Sequence, residues 1–250
     1  PYSRVKVMRA ILLAAGLGTR LRPITNTIQK CLVEYDKRPL LDIWLYQLSI
    51  HGIGPFLVNT HYMPKQVEKY VKASDYTDKV TLSYEGKLLG TAGTLVSNMD
   101  FFQNNDGMLI HADNYCISDF SEFIQAHKDR PKECLMTMMT FKTDAPSSCG
   151  IVRLDDKGVV LDFFEKSDST HGNIANGAVY ILSGDFMEII KSDFNNAFDF
   201  SVDILPYFMG RIYTYYNKVY HRDIGTVESY NLSKKYHKNT FKKQANRYEK

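Results

Sequence analysis

The segment of residues 9–30, RAILLAAGLGTRLRPITNTIQK, joins a short apolar run to glycines and cations. The apolar residues 10–15 predict a buried strand, which breaks at Gly16 and Gly18. Glycine lets backbone N–H groups approach an anion closely, because it has no Cβ to block the contact. Three cations follow at short range: Arg20, Arg22 and Lys30. The segment therefore predicts a site for the phosphates of a nucleotide.

Two widespread phosphate motifs do not fit this segment. A Walker A loop requires a lysine directly after its last glycine, and none follows Gly18. The dinucleotide fingerprint requires a third glycine where Leu21 stands, and Pro23 opposes the helix that this motif opens. An ordinary turn between a strand and a helix would explain an isolated glycine pair. The glycines, Pro23 and Lys30 together in one segment disfavour that alternative.

The pattern L-A-A-G-x-G-T-R-L-x-P-x-T, followed by a lysine, resembles the signature of the sugar-1-phosphate nucleotidyltransferases, also called nucleoside-diphosphate-sugar pyrophosphorylases. The resemblance implies that Arg20 and Lys30 act in catalysis by neutralising phosphate charge. It also implies a set of residues that wrap the nucleoside triphosphate: Leu13, Ala14, Gly16, Leu17, Gly18 and Thr19. Gln29 stands where the family has proline, and we expect this change to loosen the loop that carries Lys30.

Two aspartates are candidates for binding magnesium. In such a transfer, an oxygen of the sugar 1-phosphate attacks the α-phosphorus of the nucleotide and pyrophosphate leaves, so cations must offset the phosphate charge. Asp113 follows the apolar run 107–110, at the edge of an α/β sheet where ligands gather. Asp223 lies in D-I-G-T, which resembles the family's D-x-G-T. The resemblance implies that both bind Mg²⁺; a turn or helix-cap role is the alternative for either one alone.

The segment YEGKLLGTAGT resembles the family's base-reading segment, which implies that Glu85, Gly90 and Thr91 contact the nucleotide. A carboxylate only accepts hydrogen bonds. Guanine offers two adjacent donors and cytosine offers an amino group, whereas uracil places acceptors on both sides of its one donor. Glu85 therefore favours GTP or CTP over UTP, with an exposed glutamate that touches no base as the alternative.

Three later segments resemble the family's sugar-binding elements: Cys149-Gly150-Ile151-Val152, Phe164-Glu165-Lys166 and Asn176-Gly177-Ala178-Val179-Tyr180. The resemblance implies that Gly150 admits the sugar ring and that Glu165 and Asn176 bind its hydroxyls. It implies that Lys166 holds the sugar phosphate. A solvated strand end is the alternative for an adjacent Glu-Lys pair.

The resulting prediction is a magnesium-dependent enzyme that makes a nucleotide sugar for surface polysaccharide biosynthesis. We favour transfer from GTP to a manno- or heptose-type 1-phosphate. Cytidylyl or uridylyl transfer to a sugar or alditol phosphate is the alternative. A non-catalytic regulatory relative is less favoured, because four residues that such a protein would be expected to lose in part are present: Arg20, Lys30, Asp113 and Asp223.

Apolar strand patterns alternate with helical ones over the 250 residues, which is typical of a layered α/β domain. We predict one Rossmann-like three-layer domain, residues 1–250, with a mixed, mostly parallel central sheet. Residues 8–130 form its nucleotide-binding half and residues 131–235 a β-rich sugar-binding half, before a basic tail, 236–250. Predicted strands cover 10–15, 55–59, 80–84, 107–112, 133–141, 150–154, 159–164, 175–182 and 211–216. Predicted helices cover 39–51, 64–73, 91–98, 118–128 and 183–190, and a last one starts at 226.

The net charge of +3 comes from the C-terminal end, where Lys234–Lys250 carries seven Lys or Arg and one Glu. The rest of the chain is mildly acidic, which argues against a nucleic-acid partner. No apolar run approaches the roughly 20 residues of a membrane span, and we expect no signal peptide. The four cysteines contain no C-x-x-C pair, so we expect reduced thiols in a cytoplasmic enzyme. The sequence leaves the oligomeric state open, a homodimer included.

Overall fold

The computed structural model describes residues 7–166 and 171–248, so residues 1–6, 167–170 and 249–250 of the predicted domain lie outside it. The described strands are β1 Arg9–Leu13, β2 Glu34–Tyr35, β3 Arg38–Pro39, β4 Phe56–Thr60, β5 Val80–Tyr84, β6 Gly107–His111, β7 Asn114–Ile117, β8 Met136–Lys142, β9 Ile151–Leu154, β10 Val160–Phe164, β11 Ile174–Leu182, β12 Ile212–Tyr216 and β13 Tyr220–Asp223. The described helices are α1 Leu40–Ile50, α2 Pro64–Ala73, α3 Gly90–Ser97, α4 Phe120–Lys128, α5 Gly184–Asp193 and α6 Val227–Tyr248.

A mixed sheet forms the centre of the molecule. Its strand order is β10-β9-β11-β6-β1-β4-β5, with β8 paired to β11 and β12 paired to β8. Strands β5, β4, β1, β6, β9, β8 and β12 point the same way, whereas β11 and β10 run against them. The predicted mixed, mostly parallel sheet is confirmed.

Helices cover both faces of this sheet and give it three layers. Alternate residues of β1 point to opposite faces, as the period of a strand requires. Ala10 and Leu12 pack in a core that includes side chains of α1, α2, α4 and α6. Ile11 and Leu13 pack in a second core that includes side chains of α3 and α5. A strand buried on both faces explains the continuous apolar run of its sequence.

Local patterns predicted the long elements well but failed at turns. The predicted bounds of α2 and β5 agree with the structure. The strand predicted over 133–141 begins only at Met136, because residues 131–134 form a turn in which the Cys134 N–H donates to the Pro131 carbonyl. Residues 236–248 of the predicted basic tail continue α6.

Two short strands that no pattern predicted, β7 and β13, form a separate antiparallel pair. Strand β7 follows β6 after only Ala112 and Asp113, so the chain turns at the carboxyl edge of the main sheet. In the register of this pair, Asp223 lies opposite Asn114. The pairing therefore brings the D-I-G-T segment next to the end of β6.

An aromatic cluster docks α6, which starts shortly after β13. The Tyr35 ring stacks on Tyr115 with 4.4 Å between centroids and meets the edge of Tyr230 at 5.4 Å. Its hydroxyl lies 2.7 Å from the Ser233 Oγ, and the Tyr115 hydroxyl lies 2.7 Å from the His237 Nδ1. These buried contacts hold the beginning of α6, and with it β13, against the body of the protein.

Across residues 7–166 and 171–248, none of the helices combines the length and the apolar character that a bilayer crossing demands.

We expect Tyr35→Phe to lower the free energy of unfolding by about 1 kcal/mol, because it removes one buried hydrogen bond and keeps the ring contacts. Urea denaturation followed by circular dichroism measures the change. Tyr46→Phe is the control, since the Tyr46 side chain is largely exposed. Equal stability of Tyr35→Phe and the unaltered protein would show that the Tyr35–Ser233 bond does not help to hold α6.

Candidate active site

A lysine and two aspartates that are distant in sequence meet at the carboxyl edge of the sheet. The Lys30 Nζ lies 2.9 Å from the Asp113 Oδ2 and 3.8 Å from the Asp223 Oδ1. The Arg20 Nη2 lies 3.5 Å from the Asp223 Oδ2. The Lys30 side chain is 6% exposed, whereas that of Arg20 is 62% exposed. Lys30 is thus a buried cation between two carboxylates, and Arg20 is a cation at the rim.

The electrostatics of this cluster keep Asp113 ionised. Burial alone would raise the pKa of Asp113, but the charge of Lys30 and its hydrogen bond hold that pKa below its ordinary value. Burial lowers the pKa of His111, and it lowers the pKa of His221 to about 4. Both imidazoles are therefore neutral near pH 7, and Lys30 supplies the positive charge that faces the carboxylates.

The glycine loop stands beside this cluster. Gly18 has a φ of +63°, and its carbonyl accepts a hydrogen bond from the Thr25 hydroxyl at 2.6 Å. A cavity of about 110 Å³ is lined by residues of the loop, the two cations predicted to act in catalysis, one carboxylate and a glycine of the D-I-G-T segment: Gly18, Thr19, Arg20, Lys30, Asp113 and Gly225. The structure therefore places part of the predicted phosphate loop beside Arg20, Lys30 and Asp113.

Gly225 of the D-I-G-T segment leaves room for the arginine. A Cβ built at Gly225 would lie 2.8 Å from the Arg20 Cζ, which is far closer than real contacts allow. The guanidinium therefore packs directly on the Gly225 backbone. A side chain at this position would force Arg20 away from Asp223.

The chemistry of the two carboxylates fits Mg²⁺, the predicted cofactor. Both face the same ammonium, so they converge on one cationic position, and both offer the oxygen ligands that a hard cation prefers. Within the described ranges, no group of three or more His, Cys, Asp or Glu residues gathers around a common point. Asp113 and Asp223 would therefore hold the ion alone among the described side chains. Mg²⁺ commonly completes its shell with water and phosphate oxygens.

The first residues of the predicted nucleotide loop make their contacts inside the protein. Leu13 belongs to the apolar core, and both backbone polar groups of Ala14 are bonded inside the protein. The Ala14 N–H donates to the Asn59 Oδ1 at 2.7 Å, and the Gln29 Nε2 donates to the Ala14 carbonyl at 2.6 Å. Gly16 and Leu17 are exposed, so the free part of the loop begins at Gly16.

Gln29 corrects one expectation from the sequence. We expected its presence to loosen the loop, but its side chain is completely buried and bonded at both ends. The Oε1 accepts from the Lys30 N–H, while the Nε2 donates to Ala14. Gln29 therefore ties the loop to the strand before it.

Glu85 has internal partners for both carboxylate oxygens. Its Oε1 accepts from the Asn59 Nδ2 at 2.9 Å and from the Thr94 hydroxyl, and its Oε2 accepts from the Leu89 N–H at 3.1 Å. The alternative of an exposed glutamate is wrong, because Glu85 is buried. Base reading by Glu85 stays a prediction, and these bonds leave it fewer free acceptor positions.

Gly90 and Thr91 pack against the turn at residues 198–200. Gly90 has a φ of +76°, and a Cβ there would lie 2.2 Å from the Phe198 carbonyl oxygen. The Thr91 hydroxyl accepts from the Phe200 N–H at 2.7 Å. The visible contacts of both residues thus hold α3 in place. Contacts of the same residues with a nucleotide stay a prediction.

The predicted sugar residues lie at the ends of β9, β10 and β11. A Cβ at Gly150 would lie 3.0 Å from the Glu165 Oε2, so these two residues are neighbours. The Lys166 Nζ lies 3.8 Å from the Glu165 Oε1 and points into solvent. The Asn176 side chain closes a bulge of β11 by bonding the Tyr180 hydroxyl and the Ala178 N–H. Glu165 and Lys166 are thus more accessible to a ligand than the amide of Asn176.

Asp199 is a charged residue near the site that sequence patterns missed. It caps the short helical turn Phe200–Ile204 through bonds from the Ser201 and Val202 N–H groups. Burial and the Asp199 charge raise the pKa of Glu165, and the Asp199 charge also acts on His111. The charge of Asp199 therefore acts both on a predicted sugar residue and on the histidine at the end of β6. A lone Asp in a loop gave no signal of this role.

A larger cavity of about 420 Å³ adjoins the cavity of about 110 Å³ and shares Arg20 and Gly225 with it. Asp223, His221 and Cys149 also line it. On its wall, the Arg222 Nη2 lies 2.6 Å from the Asp144 Oδ2. No sequence pattern pointed to Arg222 or Asp144, although Arg222 precedes the predicted metal ligand. The two cavities thus meet at Arg20 and Gly225, and Asp113 lines one while Asp223 lines the other.

A nucleotidyl transferase family model matches residues 9–239, which is nearly the whole described chain. The chain belongs to the nucleotidyl transferase family. The matched residues include the glycine loop and both aspartates.

Curated relatives include two enzymes that use different nucleotides. The mannose-1-phosphate guanyltransferase of Saccharomyces cerevisiae is 31% identical over 192 residues, which cover 74% of this chain and 52% of the relative. The UTP–glucose-1-phosphate uridylyltransferase of Synechocystis is 28% identical over 213 residues, covering 80% and 54%. The chain thus spans about half the length of the curated relatives it matches.

Among solved structures, HddC from Yersinia pseudotuberculosis in complex with GMP-PN superposes with a TM-score of 0.77 at 26% identity. The match covers 92% of this chain and 99% of HddC. The similarity therefore extends over both halves of the sheet.

We expect Lys30→Met to raise the pKa of Asp113, because the charge that lowers it is removed while the burial remains. Titration of the ¹³C-labelled carboxyl carbon by NMR, in magnesium-free buffer, measures the shift. Lys191→Met is the control, since the Lys191 Nζ pairs with Asp100 on the surface. An unchanged or lower pKa of Asp113 in Lys30→Met would contradict the ion pair.

The same substitution has a pH-dependent effect on stability. In the unaltered protein the folded-state pKa of Asp113 is lowered, so its ion pair stabilises the fold above the unfolded pKa of about 4. The difference in the free energy of unfolding from Lys30→Met is fully present above that pH. It shrinks as the pH falls through the folded-state pKa.

Proposed function

We propose that this protein transfers a nucleotidyl group from GTP to a sugar 1-phosphate with Mg²⁺ as cofactor. The observation that carries the proposal is the convergence of Lys30 with Asp113 and Asp223 beside the glycine loop. Such a reaction brings two polyanions together and needs little covalent chemistry from the protein. Its principal requirement is positive charge held in place: Lys30 and Arg20 balance the two carboxylates, and Mg²⁺ held by those carboxylates would supply the net positive charge.

In the proposed mechanism, the glycine loop holds the triphosphate with its exposed backbone, and Arg20 and Lys30 offset its negative charge. Asp113 and Asp223 would hold Mg²⁺, which neutralises phosphate charge when bound. The sugar phosphate oxygen attacks the α-phosphorus, a new P–O bond forms, and the bond to pyrophosphate breaks. Lys30 enters this step already desolvated and oriented, so little reorganisation is required.

The proposal of GTP as the donor rests more on the relatives than on any side chain of this protein. A mannose-1-phosphate guanyltransferase is among the relatives, and HddC carries GMP-PN in its structure. The Glu85 carboxylate offers weaker support than the sequence suggested, because internal donors occupy it. Uridylyl transfer is the competing candidate, favoured by the uridylyltransferase relative from Synechocystis. Cytidylyl transfer stays an alternative from the sequence.

For the acceptor we propose a manno- or heptose-type sugar 1-phosphate, which makes the product a precursor for surface polysaccharide. Glu165 offers a carboxylate for sugar hydroxyls, and the exposed Lys166 offers a charge for the phosphate. All four cysteines are free thiols, which supports our proposal of a cytoplasmic enzyme.

The test is pyrophosphate release from each of the four nucleoside triphosphates, paired with a panel of sugar 1-phosphates and Mg²⁺. We expect release with GTP and a manno- or heptose-type 1-phosphate, and none when EDTA replaces Mg²⁺. Turnover with UTP alone would overturn the guanylyl assignment. Absence of release from every pair would overturn the enzymatic proposal.

We expect Asp113→Ala and Asp223→Ala each to lower kcat by about 10²-fold or more, because each removes a proposed ligand of the metal. Circular dichroism checks that both variants keep the fold. Asp162→Ala is the matched control, since Asp162 pairs with Arg153 on the exposed β9–β10 hairpin. Near-normal rates in both site variants would show that these carboxylates do not hold the metal.

A further inference from the structure

The side chain of Gln29 bridges two parts of the phosphate site. It is 0% exposed, and each end of its amide has one partner. The Nε2 donates to the carbonyl of Ala14, the second residue before Gly16. The Oε1 accepts from the backbone N–H of Lys30. One buried amide therefore connects the glycine loop with the lysine that faces the carboxylates.

The backbone of Gln29 is anchored as well. Its N–H donates to the Gln66 Oε1 at 2.9 Å, and the Gln66 Nε2 donates to the Thr27 carbonyl at 2.9 Å. Gln66 lies on α2, so a helix of the main body grips the segment before Lys30. Gln29 then caps the short turn Lys30–Leu32. The position of the Lys30 Cα is thus set by its hydrogen bond to Gln29, and through Gln29 by bonds to Ala14 at the end of β1 and to Gln66 on α2.

Ala14, which directly follows β1 and accepts from Gln29, is itself held by a hydrogen bond. The Ala14 N–H donates to Asn59, which also donates to Glu85. A continuous chain of buried hydrogen bonds therefore runs from the Lys30 backbone through Gln29, Ala14 and Asn59 to Glu85. Fully satisfied buried networks of this kind rigidify the groups that they connect.

We propose that Gln29 is a positioning residue that aims the Lys30 ammonium between Asp113 and Asp223. Lys30 needs this help because its long side chain has many rotamers, and its contacts with the two carboxylates are made only at its tip. Fixing the backbone at Lys30 narrows the positions that the tip can reach. The inference rests on the proposed function, in which Lys30 offsets phosphate charge during transfer.

The variant Gln29→Met tests this role, because methionine has a similar length but neither bonds Ala14 nor accepts from Lys30. A catalytic group displaced by about 1 Å can lose about 10²-fold in rate. We expect kcat to fall between 10- and 100-fold, with the KM for sugar 1-phosphate changed less than about threefold. Gln47→Met is the matched control, since Gln47 is buried and donates to the Cys116 carbonyl without contacting Lys30.

A double-mutant cycle tests whether Gln29 acts by positioning the Lys30 ammonium or only by stabilising the fold. If Gln29 acts through the Lys30 ammonium, Gln29→Met lowers the rate of the unaltered enzyme but changes that of Lys30→Ala less than about twofold. If Gln29→Met lowered the rate by the same factor in both backgrounds, the proposal would be overturned, because Gln29 would then act without Lys30. An unchanged rate of Gln29→Met in the unaltered background would overturn it too.

A second measurement, the chemical labelling of Lys30, does not depend on catalytic activity. The Lys30 amine is protected by burial and by its pair with Asp113, so an amine-reactive reagent should label it slowly. We expect Gln29→Met to raise the labelling rate of Lys30 at least threefold, measured by peptide mass spectrometry without nucleotide. Gln47→Met should leave it unchanged. Unchanged labelling in Gln29→Met would overturn the proposal even if the protein released no pyrophosphate with any substrate pair.

If Gln29→Met does not fold, Gln66→Met decides the question. This substitution removes the hydrogen bond between the Gln29 N–H and the Gln66 side chain. It leaves the buried side-chain amide of Gln29 in place. We expect a smaller rise in Lys30 labelling, of about twofold, and a loss of kcat that vanishes in the Lys30→Ala background. No change in either measurement would overturn the proposal.

Discussion

Two carboxylates and one ammonium share a single small volume at the edge of the sheet, and much of the structure serves to keep them there. Buried charges are tolerated only when they are paired and further bonded. Lys30 satisfies this condition through Asp113 and Asp223, and its main chain is satisfied through Gln29. The cluster therefore keeps three charged groups close together without leaving a buried charge unpaired.

Some elements around this cluster position its residues directly, and others act through a neighbouring element. Strands β1 and β6 carry the glycine loop and Asp113 to the same edge, because parallel neighbours end side by side. The short pair of β7 and β13 adds Asp223 by placing it opposite Asn114. The aromatic contacts of Tyr35 then hold α6, which follows β13. A change far from Asp113 and Asp223 can thus alter the spacing of the two carboxylates.

The sequence was sufficient where the signal is local. The glycine loop, the strand before it and the two aspartates follow from short patterns, since each depends on neighbouring residues. It was insufficient where a residue depends on distant partners. Nothing near Glu85 shows that Asn59 and Thr94 will bury it, and nothing near Gln29 shows that Ala14 will accept its amide. The β7–β13 pair was missed because such short strands have no periodicity of their own.

Arg20 lies on the Gly225 backbone and lines both cavities, so ligand binding in one cavity would affect ligand binding in the other. One guanidinium forms part of both walls, and no side chain at Gly225 separates them. A ligand that draws Arg20 toward one cavity reshapes the other, so the affinities of two ligands are coupled through one rotamer equilibrium. Such coupling is reciprocal by necessity, and each ligand changes the binding of the other by the same factor. An exposed arginine that lies on a glycine would thus let either ligand strengthen or weaken the binding of the other.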